Sequence, residues 1–249
     1  MIQARDVRFA FPGRPVLDGL SIDVEESLTT VIVGRSGIGK SVLLKCMTGL
    51  LRPQAGSITI DGDEVVGATR TELRAIRRRI GMLFQEGALF DSLSVFENIA
   101  FPLVYHKSAS GKEVDTRVRA FLDLVGMQEY ARAMPQELSG GMKRKVAIAR
   151  AMILEPRYLM YDEPTAGLDP ASAAVVESMM RRLQQERAIT SLVVTHDIEL
   201  TRYIADTIAL LEDQRIVAQA GREDSFREDS PIYKHFIEKR ERIRAENAN

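Results

Sequence analysis

Apolar positions in this chain follow two periods that alternate along its length. Short continuous apolar runs at 28–33 and 158–161, and the run that ends at 194, are typical of strands buried on both faces of a sheet. Other stretches repeat apolar residues at helical spacing, as in Val114, Val118, Phe121, Leu122 and Val125. Alternation of such strands and helices predicts an α/β fold with parallel strands.

The pattern also predicts how the chain is organised. Residues 1 to about 30 and the run 57–62 favour β structure, whereas residues from about 87 to 154 are mostly helical in pattern. Beyond them, strands and helices alternate again and close in a hairpin at 207–219. We therefore expect an α/β core with a β subdomain at 1–86 and 155–221, a helical subdomain at 87–154, and a C-terminal helical tail at 222–249.

The run 34–41 fits the pattern G-x-x-x-x-G-K-[ST], which forms loops that wrap nucleotide phosphates. It lies between a predicted strand and a helical run that starts at Val42, which is the setting that the pattern requires. Glycines let several backbone N–H groups point at one phosphate, and the helix N-terminus adds partial positive charge. We predict that Lys40 bridges the outer phosphates and that the Ser41 hydroxyl ligates Mg²⁺. An ordinary glycine turn is disfavoured by Lys40, Ser41 and these flanks.

Two carboxylates follow the apolar run at 158–161. Asp162 at a strand end is suited to anchor Mg²⁺. Glu163, one residue further on, is suited to orient or deprotonate a water molecule that attacks the terminal phosphate. Solvated acids at a strand end are the alternative for an isolated pair, but here the pair occurs with a phosphate loop.

Two further turns are candidate phosphate contacts. Ser139 is a predicted N-cap, and Gly140 and Gly141 leave backbone N–H groups accessible to an anion, although a plain helix start fits the same residues equally well. His196 follows a predicted strand, at the edge where open α/β sheets bind ligands. A lone histidine is more often structural, so this position alone decides nothing.

In this order, the motifs resemble those of the ATP-binding cassette ATPases over nearly the whole chain. Residues 34–41 look like the Walker A loop, 138–142 like the signature motif, and Asp162 with Glu163 like Walker B and the catalytic glutamate. Gln85 looks like the Q-loop glutamine, which meets Mg²⁺ and the attacking water. The remaining matches are Asp169 in the D-loop 166–169, His196 as the switch histidine, and Phe11 in the place of the aromatic residue that stacks on adenine.

This resemblance implies a P-loop NTPase fold with a RecA-like core, an antiparallel β subdomain and an inserted helical signature subdomain. It implies an ATPase that binds ATP and Mg²⁺ and pairs head to tail with a second copy, with ATP between Walker A of one chain and the signature motif of the other. The implied ATP-binding residues are Phe11, Gly34, Arg35, Ser36, Gly37, Ile38, Gly39, Lys40, Ser41, Ser139, Gly140, Gly141 and Asp169. The implied catalytic residues are Glu163, His196 and Gln85, and the implied metal ligands are Ser41, Gln85 and Asp162.

Two positions depart from the common family pattern. Met142 stands where the signature motif usually ends in Gln, which puts one polar contact in doubt but not the Ser and Gly contacts to phosphate. Phe11 stands where Tyr is usual; it keeps the stacking face and lacks only the hydroxyl.

Composition narrows the choice of partners. The chain has 249 residues, of which 45% are hydrophobic, so it can bury an α/β core with a small appended lobe. A net charge of −1 implies no broad basic field, and we expect no nucleic-acid partner. The single cysteine, Cys46, fits a reducing compartment. No apolar run reaches the length of a membrane span and the N-terminus is no signal peptide, so we expect a soluble chain whose membrane path other subunits supply.

The segment 86–103 bears on the cargo, because in the family this region receives a helix of the membrane permease. Gly-Ala-Leu-Phe at 87–90, Val-Phe-Glu-Asn at 95–98 and Met142 resemble the ATPases of Mla-type and other MCE-associated lipid transporters. This likeness implies phospholipid transport between bacterial membranes, permease subunits docking at about 86–103, an MCE-domain lipid-binding subunit, and a place at the cytoplasmic face of the inner membrane. An importer of amino acids or other small solutes is the open alternative.

Two other classes share part of the pattern. DNA-repair and chromosome-structure ATPases carry coiled-coil or zinc insertions between Walker A and the signature motif, and this chain has neither heptads nor Cys pairs there. A small-molecule kinase would have no use for residues 138–142. Both classes are therefore disfavoured.

The C-terminal tail has two open interpretations. Ser230 and Pro231 predict a helix start, and Ile232, Phe236 and Ile243 fall on one stripe of that helix. The stripe either packs on its own domain or docks on the second ATPase chain.

Overall fold

The computed structural model describes residues 1–85 and 87–237. Within these residues the chain divides into two compact units, one formed by 1–67 with 194–237 and one by 68–193. These limits concern compact packing and differ from the expected subdomain limits, which stay a prediction. Glu86, at the start of the expected docking segment, and the tail beyond 237, including Ile243, lie outside the described residues.

The secondary-structure elements follow the expected alternation of strands and helices. In chain order, the strands are β1 Ile2–Phe11, β2 Arg14–Val24, β3 Thr29–Val33, β4 Ala55–Ile60, β5 Asp63–Glu64, β6 Ile80–Leu83, β7 Tyr158–Asp162, β8 Thr190–Thr195, β9 Thr207–Glu212 and β10 Arg215–Gly221. The α-helices are α1 Lys40–Met47, α2 Arg70–Arg78, α3 Val95–Tyr105, α4 Lys112–Leu124, α5 Gly140–Met152, α6 Pro170–Arg187, α7 Ile198–Ile204 and α8 Arg222–Ser225. Two 3₁₀ turns lie at Gln128–Tyr130 and Pro135–Glu137, and residues 231–237 are helical.

The first unit contains an antiparallel sheet with the strand order β2-β1-β4-β5. Buried and exposed residues largely alternate along β1 and β2, as expected for a sheet with one face toward the core. In the same unit β9 pairs parallel with β3 and antiparallel with β10. Arg215 Nε and Gln219 Nε2 on β10 donate to the backbone oxygens of Asp18 and Asp23 on β2, at 2.7 and 2.9 Å. These bonds tie β10 to the antiparallel sheet.

The second unit contains β6 and β7, which pair in parallel, and the first residues of β8, which crosses the boundary at Val193. Every residue of β7 and β8 is buried, as in strands covered on both faces. Helix α5 packs against β6, α3 and α6. Parallel strands with covering helices, beside a separate antiparallel sheet, confirm the predicted α/β class.

The predicted N-cap Ser139 is confirmed, and Asp169 and Asp197 cap two further helices in the same way. The side chains of Ser139, Asp169 and Asp197 each accept a backbone N–H at the start of α5, α6 and α7. Helix α5 begins at Gly140, so both glycines of the predicted turn belong to its first turn. In the described part of the chain, no helix is long and apolar enough to cross a bilayer.

Candidate functional site

The phosphate-loop residues connect β3 to α1 in the first unit. Steric crowding explains why glycine stands at two of their positions, Gly34 and Gly39. A Cβ atom on Gly34 would lie 2.5 Å from the backbone oxygen of Leu211. Gly39 has φ +120°, a value that favours glycine, and a Cβ atom there would lie 2.8 Å from the Val16 side chain. The loop backbone therefore approaches β9 and β2 more closely than other residue types permit.

Lys40 is the first residue of α1 and is 5% exposed. Its ammonium group donates to the backbone oxygens of Gly34 and Arg35, at 2.9 and 3.2 Å. These bonds hold the charge of Lys40 inside the curve of the loop, at the N-terminus of a helix, where an anion is favoured. Ser41 follows and is half-buried. The exposed loop residues are Arg35, Ser36 and Gly37, and Ile38 is half-buried.

Two more candidate residues belong to the first unit. Phe11, the last residue of β1, is 46% exposed, and its ring packs edge-on against Phe9 with 5.0 Å between ring centroids. A ring fixed on one edge and open on its face is suited to stack on a base. His196 is exposed directly after β8, and Asp197 beside it caps α7 by accepting the N–H groups of Glu199 and Leu200.

The carboxylates of the second unit lie at the end of β7. Asp162 is the last residue of the strand and is 4% exposed. Glu163 has φ +46°, a left-handed conformation that costs a non-glycine residue about 1–2 kcal/mol. The Ala166 N–H donates to the Glu163 backbone oxygen at 3.2 Å and closes the turn. Strain of this kind persists only where the surroundings fix it, so Glu163 is held at a defined place beyond the strand end.

The signature turn combines an exposed cap with a buried glycine. Ser139 and Gly140 are exposed, and Ser139 Oγ accepts the Met142 N–H at 3.3 Å. Gly141 is buried, and a Cβ atom there would lie 2.9 Å from both Cβ and Oγ of Ser172 on α6. The second glycine therefore has a packing role, besides the anion approach that the sequence predicts.

A cavity of about 630 Å³ in the second unit brings several of these segments together. Gln85, Gly140 and the turn 166–168 line it, together with Lys143 and Arg144 of α5. Asp169 follows that turn, and its carboxylate accepts the Ser172 N–H at 3.0 Å. Hydrogen bonds from Ser172 lower the pKa of Asp169, so the cap is anionic at neutral pH. Within this unit Gln85, the N-terminus of α5 and the turn 166–168 are thus neighbours.

Two arginines of α5 were not singled out from the sequence. Arg144 is buried, and its guanidinium donates to three backbone oxygens of residues 84, 164 and 166. Arg150 Nη2 donates to the Gly87 oxygen at 2.8 Å, and burial lowers the pKa of Arg150. The available signal was spacing: Arg144 lies four residues before Ile148, so a charged side chain shares a helix face with a core residue.

The expected metal ligands have the chemistry that Mg²⁺ requires. Ser41, Gln85 and Asp162 offer a hydroxyl, an amide and a carboxylate oxygen, and Mg²⁺ takes such oxygen ligands where phosphates complete its coordination. Among the described residues, no group of three or more His, Cys, Asp or Glu side chains forms an alternative metal site.

In the described part of the expected docking segment, 87–103, hydrogen bonds of Asn98 tie the loop before α3 to the helix. Asn98 is buried, accepts the Phe90 N–H at 2.9 Å and donates to the backbone oxygens of Phe90, Leu93 and Ser94. The rings of Phe90 and Phe101 lie 4.6 Å apart, both partly exposed, and Tyr105 stacks on Phe101 at 5.9 Å. An aromatic row thus lies on a fixed backbone.

In the tail, Ile232 and Phe236 are buried within the chain. The Phe236 ring stacks on Phe226 at 5.7 Å, and the Arg202 guanidinium lies 4.4 Å from the Phe226 ring centroid. For these residues the structure favours packing on their own unit over docking on a second chain.

The chain is similar to one known family, to proteins of known function and to solved structures. The family model described as ABC transporter matches residues 17–166. The intermembrane phospholipid transport system ATP-binding protein MlaF of Haemophilus influenzae is 40% identical over 223 residues, which are 90% of this chain and 84% of that protein. The methionine import ATP-binding protein MetN of Clostridium tetani is 38% identical over 249 residues, 100% of this chain and 78% of that protein. The dimeric post-hydrolysis state of the ATP-binding cassette MJ0796, bound to ADP and Pi, is 30% identical with a TM-score of 0.81, covering 89% of this chain and 99% of that one.

Proposed function

The chain belongs to the ABC transporter family, and from this membership we propose that it hydrolyses ATP in a head-to-tail dimer and drives a membrane permease that moves phospholipid. ATP binding and hydrolysis follow from the family itself. The observation that supports this site most directly is the phosphate loop, whose glycines permit close backbone approach and whose Lys40 lies inside the curve.

For ATP binding, we assign the phosphates to the loop 34–41 and the adenine ring to the face of Phe11. The ammonium group of Lys40 then exchanges its bonds to loop oxygens for bonds to the outer phosphates. A bound Mg²⁺ ion supplies positive charge that neutralises the phosphate oxygens. Ser41, Gln85 and Asp162 are the residues proposed to hold it.

For hydrolysis, we assign Glu163 to the attacking water, which it orients and from which it accepts a proton. His196 is proposed to contact the terminal phosphate. Gln85, which follows β6, is proposed to contact the same attacking water as Glu163, which follows β7. The left-handed backbone of Glu163 supports this assignment, because strained conformations cluster at functional sites.

Dimerisation supplies the remaining contacts. The exposed N-terminus of α5 at Ser139 and Gly140 is proposed to meet the terminal phosphate held by the second copy, and Asp169 to lie at the same interface. Loss of the terminal phosphate removes what this helix end contacts, so hydrolysis opens the dimer and does work on the permease.

Glu163→Gln tests the dimer and the catalytic role together. The amide cannot accept a proton, so we expect the variant to bind ATP, to lose nearly all turnover and to form a stable dimer with ATP and Mg²⁺, measured by light scattering. Wild-type turnover by this variant would remove Glu163 from the mechanism.

A mixing experiment tests the composite site. Ser139→Arg blocks phosphate approach from one chain, and Lys40→Ala removes the counter-charge in the other. Each variant alone is expected to be inactive, whereas a mixed dimer keeps one composite site without either change and should regain part of the activity. Unimpaired hydrolysis by Ser139→Arg alone would show that the signature turn does not face phosphate.

For cargo, the similarity to MlaF, an ATP-binding protein of an intermembrane phospholipid transport system, supports phospholipid transport. We further propose permease subunits on segment 86–103, an MCE-domain subunit in the complex and a place for the ATPase on the cytoplasmic face of the inner membrane. MetN supports the second candidate, a small-solute importer. Affinity purification of the tagged chain from membranes of its host distinguishes them. A co-purifying MCE-domain protein and bound phospholipid are expected, and a periplasmic solute-binding protein would overturn the lipid assignment.

A further inference from the structure

Arg144 occupies an unusual place for a charged side chain. It lies in the first turns of α5 and is only 3% exposed. Arginine is almost never fully buried unless its N–H groups are satisfied, because an unsatisfied buried charge costs several kcal/mol. Its hydrogen bonds therefore show what the residue holds.

The guanidinium of Arg144 joins two segments that are remote in sequence. Nε donates to the backbone oxygen of Pro164 at 3.0 Å, and Nη2 donates to that of Ala166 at 3.2 Å. Nη1 donates to the backbone oxygen of Phe84 at 3.5 Å. Pro164 directly follows Glu163, and Phe84 directly precedes Gln85, so one planar group holds the turn after Glu163 and the backbone just before Gln85, which leads into the expected docking segment 86–103.

Gly87, in the expected docking segment, is also held against α5. Gly87 lies against α5 with φ +80°, and a Cβ atom on it would lie 3.8 Å from Arg144 Nη1 and 3.4 Å from the Ala147 side chain. Arg150 also fixes the Gly87 oxygen, at 2.8 Å. The backbone around Gln85 is thus held to α5 on both sides of that residue, and Arg144 extends the hold to the turn after Glu163.

The strained conformation of Glu163 makes the turn after it sensitive to the loss of the hydrogen bonds that close it. Its φ of +46° is strained, and the bonds that keep the turn closed include Ala166 N–H to the Glu163 oxygen and Arg144 Nε to the Pro164 oxygen. The guanidinium is a rigid fork with fixed donor directions. A displacement of the segment at Phe84 therefore moves the donors that hold the backbone beside the Glu163 carboxylate.

We propose that Arg144 is a positioning residue that couples the Gln85 segment to the catalytic placement of Glu163. The inference rests on the proposed role of Glu163 in hydrolysis. It assigns Arg144 no contact with ATP: the residue acts by holding the Glu163 turn in register with the segment that the permease is proposed to contact. A small misplacement of a reacting group lowers kcat by up to about a hundredfold, while substrate binding elsewhere is retained.

Arg144→Met tests the proposal, because Met fills much of the same volume and removes every donor. We expect kcat for ATP hydrolysis to fall about tenfold to a hundredfold, while KM and the ATP dissociation constant stay within about threefold of wild type. Arg144→Lys, which keeps the charge but not the fork, should show a smaller fall in kcat. Arg119→Met, on the exposed face of α4, is the matched control and should hydrolyse ATP as the wild type does. Wild-type kcat in a folded Arg144→Met would overturn the proposal. If the Met variant does not fold, Arg144→Lys takes its place, and wild-type kcat in that variant would overturn the proposal.

A double-mutant cycle separates positioning from mere stability. Residues that act as a unit are not additive, so Arg144→Met should lower kcat far less in a Glu163→Gln background than in the wild type. An equal fold-loss in both backgrounds, or a loss of ATP binding in proportion to kcat, would mean that Arg144 is only structural. Glu163→Gln alone separates the proposed function from the coupling by Arg144. Wild-type turnover in this variant refutes the proposed role of Glu163. Its inactivation alongside an unaffected Arg144→Met refutes only the coupling.

Discussion

Gly141→Ala should destabilise the chain because of one contact between α5 and α6. The added Cβ atom would lie 2.9 Å from both Cβ and Oγ of Ser172, closer than real Cβ contacts. Ser172 Cβ is fixed to the backbone of α6 and cannot rotate away, so the two helices must shift. Overpacking of this kind costs about 1–3 kcal/mol, and the better helix propensity of alanine offsets about 0.5–1 kcal/mol of it. We expect a net loss of about 1–2 kcal/mol in the free energy of unfolding.

Urea unfolding followed by circular dichroism measures this loss as a lower transition midpoint with an unchanged slope. Ser172→Gly is the second substitution of a double-mutant cycle. It removes both atoms that the new methyl group meets and keeps the N–H that Asp169 accepts. Ser172→Gly alone should cost about 0.5–1 kcal/mol through backbone entropy, and a further amount through loss of the hydroxyl hydrogen bond to Asp169. The double variant should be more stable than the sum of the two changes predicts, by about 1 kcal/mol or more.

Gly140→Ala is the matched control on the same turn. Its Cβ atom would lie 3.1 Å from Leu168 Cδ2, the end of a flexible side chain that can move. A nearly neutral effect on the unfolding midpoint is expected. The reasoning fails if Gly141→Ala keeps wild-type stability and loses only ATP hydrolysis, because the glycine would then serve phosphate approach alone.

Three further results are expected. Phe11→Ala should weaken ATP binding by about 1–2 kcal/mol in calorimetric titration, since base stacking on an aromatic ring is lost, whereas Phe11→Tyr should bind as the wild type does. Burial raises the pKa of Cys46 from 9.0 to about 12, so at pH 8 its thiolate fraction is about a thousandfold lower and labelling of the native protein should be far slower than in denaturant; equal rates would contradict the burial. Phe236→Ala should lower the free energy of unfolding of the monomer by about 3 kcal/mol and exposed Lys234→Ala by less than about 0.5 kcal/mol; an unaffected monomer would assign the tail to another chain.

Features fixed by neighbouring residues could be predicted from the sequence. A cap depends on a side chain and an N–H two or three residues further on, so the capping role of Ser139 could be predicted without knowing the fold. The phosphate loop is equally local, because its glycines, Lys40 and Ser41 lie within one turn between a strand and a helix.

Contacts between remote segments could not be predicted in this way. The pattern shows that Gly141 starts a helix, but its need for glycine depends on how α6 lies against that helix. Spacing places Arg144 on the same helix face as Ile148, but what its guanidinium binds depends on the positions of Phe84 and Pro164. Likewise, the apolar stripe of the tail shows that Phe236 is covered, but periodicity does not say by what.

The cargo question depends on the surface that meets other subunits, because the chain is almost equally similar to MlaF and to MetN, at 40% and 38% identity. Both relatives carry ATP-binding in their names, and that shared chemistry cannot separate a phospholipid from an amino acid. The exposed aromatic row on α3 and the loop before it is different in kind. Tyr105 is 60% and neighbouring Val104 62% exposed, next to Phe90 and Phe101, so this row presents apolar side chains that another chain can cover. Under the proposed docking of the permease on this row, the information on cargo lies in the permease, and the ATPase contributes the surface shape that the permease recognises.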